Sequence, residues 1–278
     1  MLKQRVITAV IIVLALFAAL ALLTAPLLSL VFAALILLAA WEWGDMTGLA
    51  SRGLRAGFVL LCGAVMATLS WHVDLYGEIN PARLREVMVV TCLWWSIGLL
   101  WVKAYPQSAV MWGSRLMRGL MGVLVLAPGW LSISYLGFRE GGVWLILLVI
   151  ALVAAADIGA YFVGRALGKA KLAPAVSPGK SWAGFWGGLC SAMTLMLVIS
   201  LALAERMPGS LLAMLVLAAF TVLASVLGDL LESMVKRHRG IKDSGQILPG
   251  HGGLMDRIDS LTAAVPVFTL GLLSVGGA

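Results

Sequence analysis

The sequence predicts an all-α polytopic integral membrane protein with about nine transmembrane helices. Of its 278 residues, 62% are hydrophobic and only 12% are charged, and the mean hydropathy is +1.02. This composition leaves too little polar surface to cover a water-soluble globule. Apolar runs close to the ~20 residues that cross a hydrocarbon core recur along the whole chain. We therefore expect one transmembrane domain, 1–278, with short external loops.

Nine apolar runs, bounded by proline, glycine and charged residues, define the predicted helices in order. They lie at 6–24, 27–41, 54–72, 87–102, 117–136, 143–163, 183–204, 210–231 and 260–276. The first run follows Lys3 and Arg5 as in a signal peptide. Its length, the lack of a convincing cleavage site and the second run after Pro26 favour a helical hairpin instead. The three cysteines each lie within an apolar run, which is typical neither of a disulfide framework nor of a metal site.

The positive charges predict the orientation, because short cytoplasmic loops carry an excess of lysine and arginine. With the N-terminus in the cytoplasm, sixteen of the twenty basic residues fall on the cytoplasmic side. These are Lys3, Arg5, Arg52, Arg55, Lys103, Arg115, Arg118, Arg165, Lys169, Lys171, Lys180, Lys236, Arg237, Arg239, Lys242 and Arg257. Only Arg83, Arg85, Arg139 and Arg206 fall outside. Nine spans then place the C-terminus in the periplasm, as expected in a bacterial-type cytoplasmic (inner) membrane.

Two predicted cytoplasmic loops, 164–182 and 232–259, indicate where the chemistry lies. Five of the thirteen acids fall between positions 229 and 259, beside five basic residues. These acids are Asp229, Glu232, Asp243, Asp256 and Asp259. A membrane-surface patch would be basic alone, so the mixture predicts a metal and phosphate site. We expect 143–278 to be the catalytic half, and the spans in 1–142 to be structural and to offer dimer contacts.

Asp229 is a candidate metal ligand near the end of the eighth span. If the helix continues, Asp229, Glu232, Ser233 and Lys236 share one face. A carboxylate at this depth is costly unless it faces a polar cavity or an ion. The alternative is an ion pair with Lys236 or Arg237 that ends the helix.

Asp256 is the second candidate ligand. Asp259 is suited to cap the ninth helix, which leaves Asp256 to meet Asp229 at a hard cation such as Mg²⁺. The segment 249–253 between these acids contains glycines, which allow positive φ angles and let backbone amides approach an anion. A simple turn between two spans is the alternative for that segment.

The first loop follows an acid within the sixth span. Asp157 at that depth is by default functional, with Arg165, Lys180 or a cation as its partner. Lys180 is a candidate phosphate ligand on electrostatic grounds. The spacing of Gly164 and Gly168 is also typical of close contacts between membrane helices.

Together these motifs resemble the phosphatidate cytidylyltransferase (CDP-diacylglycerol synthase) family. The similarity lies in SMVKR at 233–237, KDSG at 242–245 and LPGHGGLMDRID at 248–259, and it extends upstream to Asp157. It covers roughly 157–260, and a long ordered pattern of this kind is highly specific. One departure is Ala183, where many relatives place a glutamate.

The resemblance implies transfer of CMP from CTP to phosphatidate, which gives CDP-diacylglycerol and pyrophosphate for phospholipid biosynthesis. It implies Mg²⁺ as a cofactor, with a monovalent cation such as K⁺ as a second. Asp229 and Asp256 match the family's metal ligands, and Asp243, Lys236 and Arg237 complete the expected catalytic set. The expected substrate-binding residues are Ser177, Lys180, Ser181, Arg165, Lys169, His251, Gly252, Gly253 and Arg257.

The expected partners are CTP, phosphatidate in the bilayer, membrane lipids and a second copy of the chain, since small residues along several spans favour a homodimer. A lateral opening between spans is expected, because CTP arrives from water while the acyl chains stay in the membrane. We attribute the net charge of +7 to orientation and anionic headgroups rather than to nucleic acid.

Three alternatives remain open at this point. One is a cytidylyltransferase that acts on another lipid phosphate. The second is an ion-coupled transporter, because an acid such as Asp157 within the membrane also suits a transport site. The third is an inactive paralogue, which the complete set of charged motif positions disfavours.

Overall fold

A computed structural model describes the backbone of residues 2–275 and the side chains of residues 6–275. The side chains of Lys3 and Arg5 and the tail 276–278, on which part of the predicted orientation depends, lie outside the described residues. The helices are α1 (Leu2–Leu22), α2 (Ala25–Met46), α3 (Arg52–Val73), α4 (Pro81–Lys103), α5 (Ala109–Trp112), α6 (Arg115–Phe138), α7 (Gly142–Leu167), α8 (Trp182–Ala202), α9 (Leu211–Arg239) and α10 (Met255–Val275). A hairpin of β1 (Lys171–Ala173) and β2 (Ser177–Ser181) joins α7 to α8, and a single 3-10 turn, Ala204–Arg206, follows α8.

Eight helices in the described range are long and apolar enough to cross a membrane, and Val6–Leu22 forms a shorter apolar helical segment. The chain is therefore an all-α, multi-pass membrane protein, as predicted. Each of the nine predicted spans coincides with one of these helices. The count of nine membrane spans and the orientation stay predictions.

The two predicted loops are wrong in extent. Helix α7 continues to Leu167, α9 continues to Arg239, and α10 begins at Met255, so much of 164–182 and 232–259 is regular structure. Hydropathy marks only the apolar part of a helix, whereas backbone hydrogen bonding continues through the charged turns at its end. The prediction that the helix continues through Asp229 and Lys236 is therefore confirmed.

Polar residues fix where several helices begin. The side chain of the residue before the helix accepts a backbone N–H of the first turn, which satisfies a donor that has no partner within the helix. This holds for Ser51, Asn80, Ser114, Ser181 and Ser210. Helix α9 ends at Gly240, whose φ of +75° is the left-handed conformation that favours glycine.

Residues 143–275 pack mainly as two close helix pairs, α7 with α8 and α9 with α10. A Cβ placed on Gly164 would lie 3.3 Å from the Cα of Gly184, so α7 and α8 meet at backbone distance. Gly164 therefore serves as the small-residue contact that its spacing favours. This contact holds the hairpin of β1 and β2 over the ends of both helices.

Two hydrogen bonds between remote segments show which helix ends lie together at each end of the bundle. At one end Thr8, near the start of α1, donates to the carbonyl of Pro249 in the segment before α10 at 3.1 Å. At the other end Arg85, near the start of α4, donates to the carbonyl of Leu273 in the last turn of α10 at 2.6 Å. The hairpin and the segment 240–254 thus share the end at which α1 begins.

Candidate active site

Asp229 and Lys180 form an ion pair between α9 and the hairpin. The Nζ of Lys180 lies 2.7 Å from Oδ2 of Asp229, and Ser233 donates to Oδ1 at 3.2 Å. The alternative in which Asp229 pairs with Lys236 or Arg237 to end the helix is therefore wrong. Strand β2 brings the lysine to Asp229 from outside the helix, and the sequence gives no direct sign of that approach.

Lys236 is bound by two carboxylates one turn further along α9. Its Nζ lies 2.5 Å from Oε2 of Glu232 and 2.5 Å from Oδ1 of Asp256 on α10. Glu232 is 1% exposed and Lys236 is 9% exposed, so this triad is almost dry. Charges this far from water interact more strongly than surface pairs.

Asp256 is also held by backbone amides. Its Oδ2 accepts the N–H of Ser244 at 3.0 Å and the N–H of Gly253 at 2.9 Å. Gly250 and Gly252 have φ angles of +77° and +84°, which confirms the positive φ angles predicted for this segment. The sequence suggested that backbone amides of this segment bind an external anion. One of them, the N–H of Gly253, instead binds the carboxylate of Asp256. These bonds favour the ionised form of Asp256.

Asp243 is exposed, and it lies close to Gly252, as Asp256 does. A Cβ placed on Gly252 would be 3.0 Å from Oδ2 of Asp256 and 3.6 Å from Cβ of Asp243. A side chain at this position would therefore crowd both acids. This position is compatible with the supporting role expected for Asp243.

Glu42 is the functional residue that sequence reasoning missed. It is 3% exposed, and it accepts the backbone N–H of Leu254 at 3.0 Å, the N–H of Met255 at 2.8 Å and the hydroxyl of Ser244 at 3.1 Å. Glu42 therefore caps α10, and the prediction that Asp259 caps it is wrong because Asp259 lies one turn inside the helix. An acid next to the apolar run 27–41 was the signal that could have revealed it.

Five acids and two lysines form one group of interacting side chains. In this group the carboxyl groups outnumber the ammonium groups. The acids are Asp157, Asp229, Glu232, Asp256 and Asp259, and the lysines are Lys180 and Lys236. Repulsion within such a group is relieved by a bound cation.

The acids also fit Mg²⁺ in their chemistry. In the described part of the chain, no three His, Cys, Asp or Glu side chains are grouped so as to hold a metal ion by themselves. Mg²⁺ rarely needs such a cage, since one or two carboxylates, substrate phosphates and water usually complete its shell. Asp229 and Asp256, which lie on the paired helices α9 and α10, suit a site of that kind.

A polar cavity of about 380 Å³ opens beside the Lys180 ion pair. Asp157, Arg165, Lys180 and Ser181 line it together with small and apolar residues of α7, α8 and α9. The structure therefore brings these four predicted residues together at one cavity. Asp157 faces Lys180, which was one of its three expected partners.

An apolar groove of about 1030 Å³ adjoins this cavity. It is lined by residues of α4, α8, α9 and α10, and it shares Leu172, Phe185 and Val226 with the polar cavity. The sequence predicts a lateral opening without saying where. The groove is an apolar space of the kind that such an opening requires.

Two of the arginines predicted to act on the substrates, Arg237 and Arg257, donate hydrogen bonds to backbone carbonyls of the protein. Arg237 donates to the carbonyl of Val176 at 3.2 Å, which ties the hairpin to α9. Arg257 donates to the carbonyl of His251 at 2.6 Å, which holds the glycine-rich segment. The remaining predicted ligands lie at the same end of the bundle: Lys169 is exposed before β1, Ser177 begins β2, and Ser181 caps α8.

Comparison with known proteins identifies the family. The sequence profile of the Cytidylyltransferase family matches residues 3–275. The phosphatidate cytidylyltransferase of Pseudomonas aeruginosa is 42% identical over 276 residues, which cover 99% of this chain and 98% of that protein. The corresponding protein of Haemophilus influenzae is 40% identical over 281 residues, which cover 97% and 98%. That of Brucella melitensis is 47% identical over 176 residues, which cover 63% and 64%.

Both the profile and the first two relatives span almost the whole chain, including the acids on α9 and α10 and the hairpin that carries Lys180. This extent favours a transferase over the ion-coupled transporter. The protein belongs to the cytidylyltransferase family.

Proposed function

We propose that this protein transfers CMP from CTP to phosphatidate and so forms CDP-diacylglycerol and pyrophosphate. The observation that carries the proposal is the position of Lys180. Its ammonium group binds Asp229 and lines a polar cavity that continues into an apolar groove. A nucleotide and a lipid phosphate can therefore meet where the two spaces join.

The lipid phosphate acts as the nucleophile in this mechanism. Its second pKa is about 6, so at neutral pH most of it is doubly ionised and needs no general base. One of its oxygens attacks the α-phosphorus of CTP in line with the leaving group. The new P–O bond forms as the bond between the α-phosphorus and the bridging oxygen breaks, and the electron pair leaves with pyrophosphate.

The protein's task is to position these anions and to neutralise their charge. We assign Lys180, Lys236 and Arg237 to the phosphates, because lysine and arginine form strong charge-assisted hydrogen bonds with phosphate oxygens. Asp229 and Asp256 would hold Mg²⁺, and Asp243 would support them. When bound, Mg²⁺ would neutralise charge on the polyphosphate and so stabilise the transition state.

Lys180 and Lys236 both bind carboxylates of the protein itself. We infer that they exchange part of this pairing for substrate phosphates. The exchange is favourable when a divalent cation compensates the carboxylates that the lysines release. Lysine suits this role, because its flexible stem moves a compact charge between partners.

The acyl chains of the lipid would lie in the apolar groove between α4, α8, α9 and α10. Acyl chains in this groove would keep their contact with the bilayer. The phosphate would reach Lys180 where the two spaces join, beside Leu172, Phe185 and Val226. An ether-linked or polyprenyl phosphate would fit the same general arrangement. The transfer assay below distinguishes phosphatidate from a polyprenyl phosphate.

We place the protein in a bacterial-type inner membrane, with nine spans, the active site facing the cytoplasm and the C-terminus in the periplasm. The support is the ratio of sixteen basic residues to four between the two sides. CTP would then reach the site from the cytoplasm. A homodimer and a monovalent cation such as K⁺ remain part of the proposal.

The test is incorporation of label from CTP, carried in the cytidine or α-phosphate, into chloroform-soluble lipid by the purified protein in detergent. The reactions contain phosphatidate, a polyprenyl phosphate or no lipid, with Mg²⁺ either present or chelated. We expect label in lipid only when phosphatidate and Mg²⁺ are both present. Incorporation with the polyprenyl phosphate alone would reassign the acceptor.

Folded protein that incorporates no label in any mixture would overturn the proposed reaction. Folding is checked by the thermal unfolding of the same preparation, monitored by tryptophan fluorescence. Incorporation that continues after chelation would overturn the assignment of Asp229 and Asp256 to Mg²⁺.

A further inference from the structure

A second charged cavity lies outside the candidate active site, and we call it the arginine pocket. Arg115 and Arg118 in the first turns of α6 and Arg239 at the end of α9 surround Gly48 after α2. A Cβ placed on Gly48 would lie 3.6 Å from Nε of Arg239 and 3.8 Å from a nitrogen of each of the other two arginines. Together with His238, these residues line a cavity of about 340 Å³.

No carboxylate neutralises these arginines among the described residues. Four ion pairs occur in that part of the chain, and none includes Arg115, Arg118 or Arg239. The nearby carboxylate of Asp45 is bound to Arg55. Arg239 reaches only the backbone carbonyl of Asp45, at 3.4 Å. Three guanidinium groups therefore converge with their charges uncompensated by the protein.

Arg118 makes the pocket more than an exposed basic patch. It is 8% exposed, and its Nη1 donates to the carbonyl of Met46 at 3.1 Å. Its Nε has no hydrogen-bond partner. A buried charged donor without a partner is costly, and two further like charges beside it add to that cost. An anion in the pocket would offset the repulsion among the three guanidinium groups.

The backbone of α6 adds to the positive potential. Arg115 and Arg118 occupy the N-terminal end of this helix, where the unpaired N–H groups carry a partial positive charge. Basic side chains are disfavoured at such an end, whereas anions are stabilised there. The side chain of Ser114 caps only the N–H of Met117. The helix end and the arginines thus favour the same kind of ligand.

We propose that the arginine pocket is a binding site for a phosphate group, separate from the active site. Guanidinium groups match the oxygens of phosphate in geometry and remain charged at any physiological pH. The phosphate can belong to an anionic lipid headgroup at the membrane boundary or to a soluble phosphate. The pocket shares no lining residue with the polar cavity or the apolar groove.

The test compares the wild type with an Arg115→Gln/Arg239→Gln variant, in which both substituted side chains are exposed. The matched control is Arg52→Gln/Lys103→Gln, which removes the same charge from exposed positions that do not line the pocket. Thermal unfolding in neutral detergent is followed by tryptophan fluorescence. One arm adds inorganic phosphate at constant ionic strength, and another adds phosphatidylglycerol or phosphatidylcholine. A ligand that binds only the folded state raises the unfolding temperature.

We expect phosphate or phosphatidylglycerol to stabilise the wild type and the control, with at least about tenfold weaker apparent affinity in the arginine variant. Stabilisation by inorganic phosphate that weakens in the arginine variant identifies a soluble ligand, and a weakened response to phosphatidylglycerol alone identifies a lipid headgroup. Binding of phosphate at the active site contributes equally to all three proteins, so equal responses in all three would overturn the proposal. Arg239→Gln alone replaces the double variant if the latter does not fold. The transfer of CMP is assayed separately, so failure of one proposal leaves the other intact.

Discussion

Glu42 on α2 accepts the backbone N–H of Met255, the first residue of α10, at 2.8 Å. The two residues are separated by 213 positions in the chain. This bond places the start of α10, and therefore Asp256, relative to the N-terminal half of the bundle. The spans expected to be structural thus contribute directly to the geometry of the candidate site.

Replacement of Glu42 by alanine should destabilise the protein. It leaves the N–H groups of Leu254 and Met255 buried without an acceptor, at a cost of about 1–3 kcal/mol each in the free energy of unfolding. We expect a clear fall in the thermal unfolding midpoint in detergent. The matched control is Glu140→Ala, which removes an exposed acid at the start of the turn before α7. Equal midpoints for the two variants would contradict the capping role.

Asp256→Asn should abolish most activity with little loss of folded protein. Asparagine keeps the size of the side chain but removes the charge that binds Lys236 and would hold Mg²⁺. Because metal-assisted charge stabilisation is worth several kcal/mol, we expect kcat to fall by at least about 100-fold. Labelled-CTP incorporation measures this. Asp74→Asn is the control, since asparagine tolerates the left-handed conformation of Asp74, whose φ is 56°. Activity retained by Asp256→Asn would refute the assignment.

Lys180→Gln should weaken the use of both substrates. A charge-assisted hydrogen bond to phosphate contributes about 1.5–3 kcal/mol, so kcat/KM should fall by about 10- to 150-fold. Steady-state kinetics with varied CTP and with varied phosphatidate measure the fall in kcat/KM for each substrate. Lys171→Gln, an exposed change on the paired strand, serves as the control. A kcat/KM equal to that of the control would exclude Lys180 from phosphate binding.

A bulky residue in the apolar groove should discriminate between lipids by chain length. Val216 lines the groove thirteen residues before Asp229, which is about 20 Å along α9. We expect Val216→Trp to raise KM several-fold for phosphatidate with sixteen-carbon chains and to leave the six-carbon analogue unaffected. The control Leu60→Trp adds the same side chain to an exposed position on α3. If both lipids respond equally to Val216→Trp, the acyl chains do not lie in this groove.

The sequence was sufficient for the fold class and the family. Helical periodicity and hydropathy depend on near neighbours in the chain, and the bilayer forces each apolar run of adequate length into a helix. The nine predicted runs therefore coincide with helices, although their charged ends at Arg239 and Met255 were missed. The family followed from the ordered motif between Ser233 and Asp259, and the sequence profile and full-length relatives confirm it.

The pairing of charged groups could not be read from the sequence. The sequence predicted a polar cavity or an ion beside Asp229 and offered Lys236 or Arg237 on the same helix as the alternative, whereas the structure pairs Asp229 with Lys180 on the hairpin. The capping of α10 by Glu42 rather than Asp259 is a second case of the same kind. Local spacing shows which side chains share a helix face, but contacts between remote segments depend on how the helices pack.

The sequence by itself thus determined the class of protein, its family and the approximate position of each helix, and it supplied a set of candidate site residues. The tertiary structure decided which of these residues meet: Asp229 with Lys180, Asp256 with Lys236, and the polar cavity with the apolar groove. The physical reason is that hydropathy and helix formation are set within a few turns of chain. Partners of buried charges are chosen by the close packing of helices that are distant in sequence.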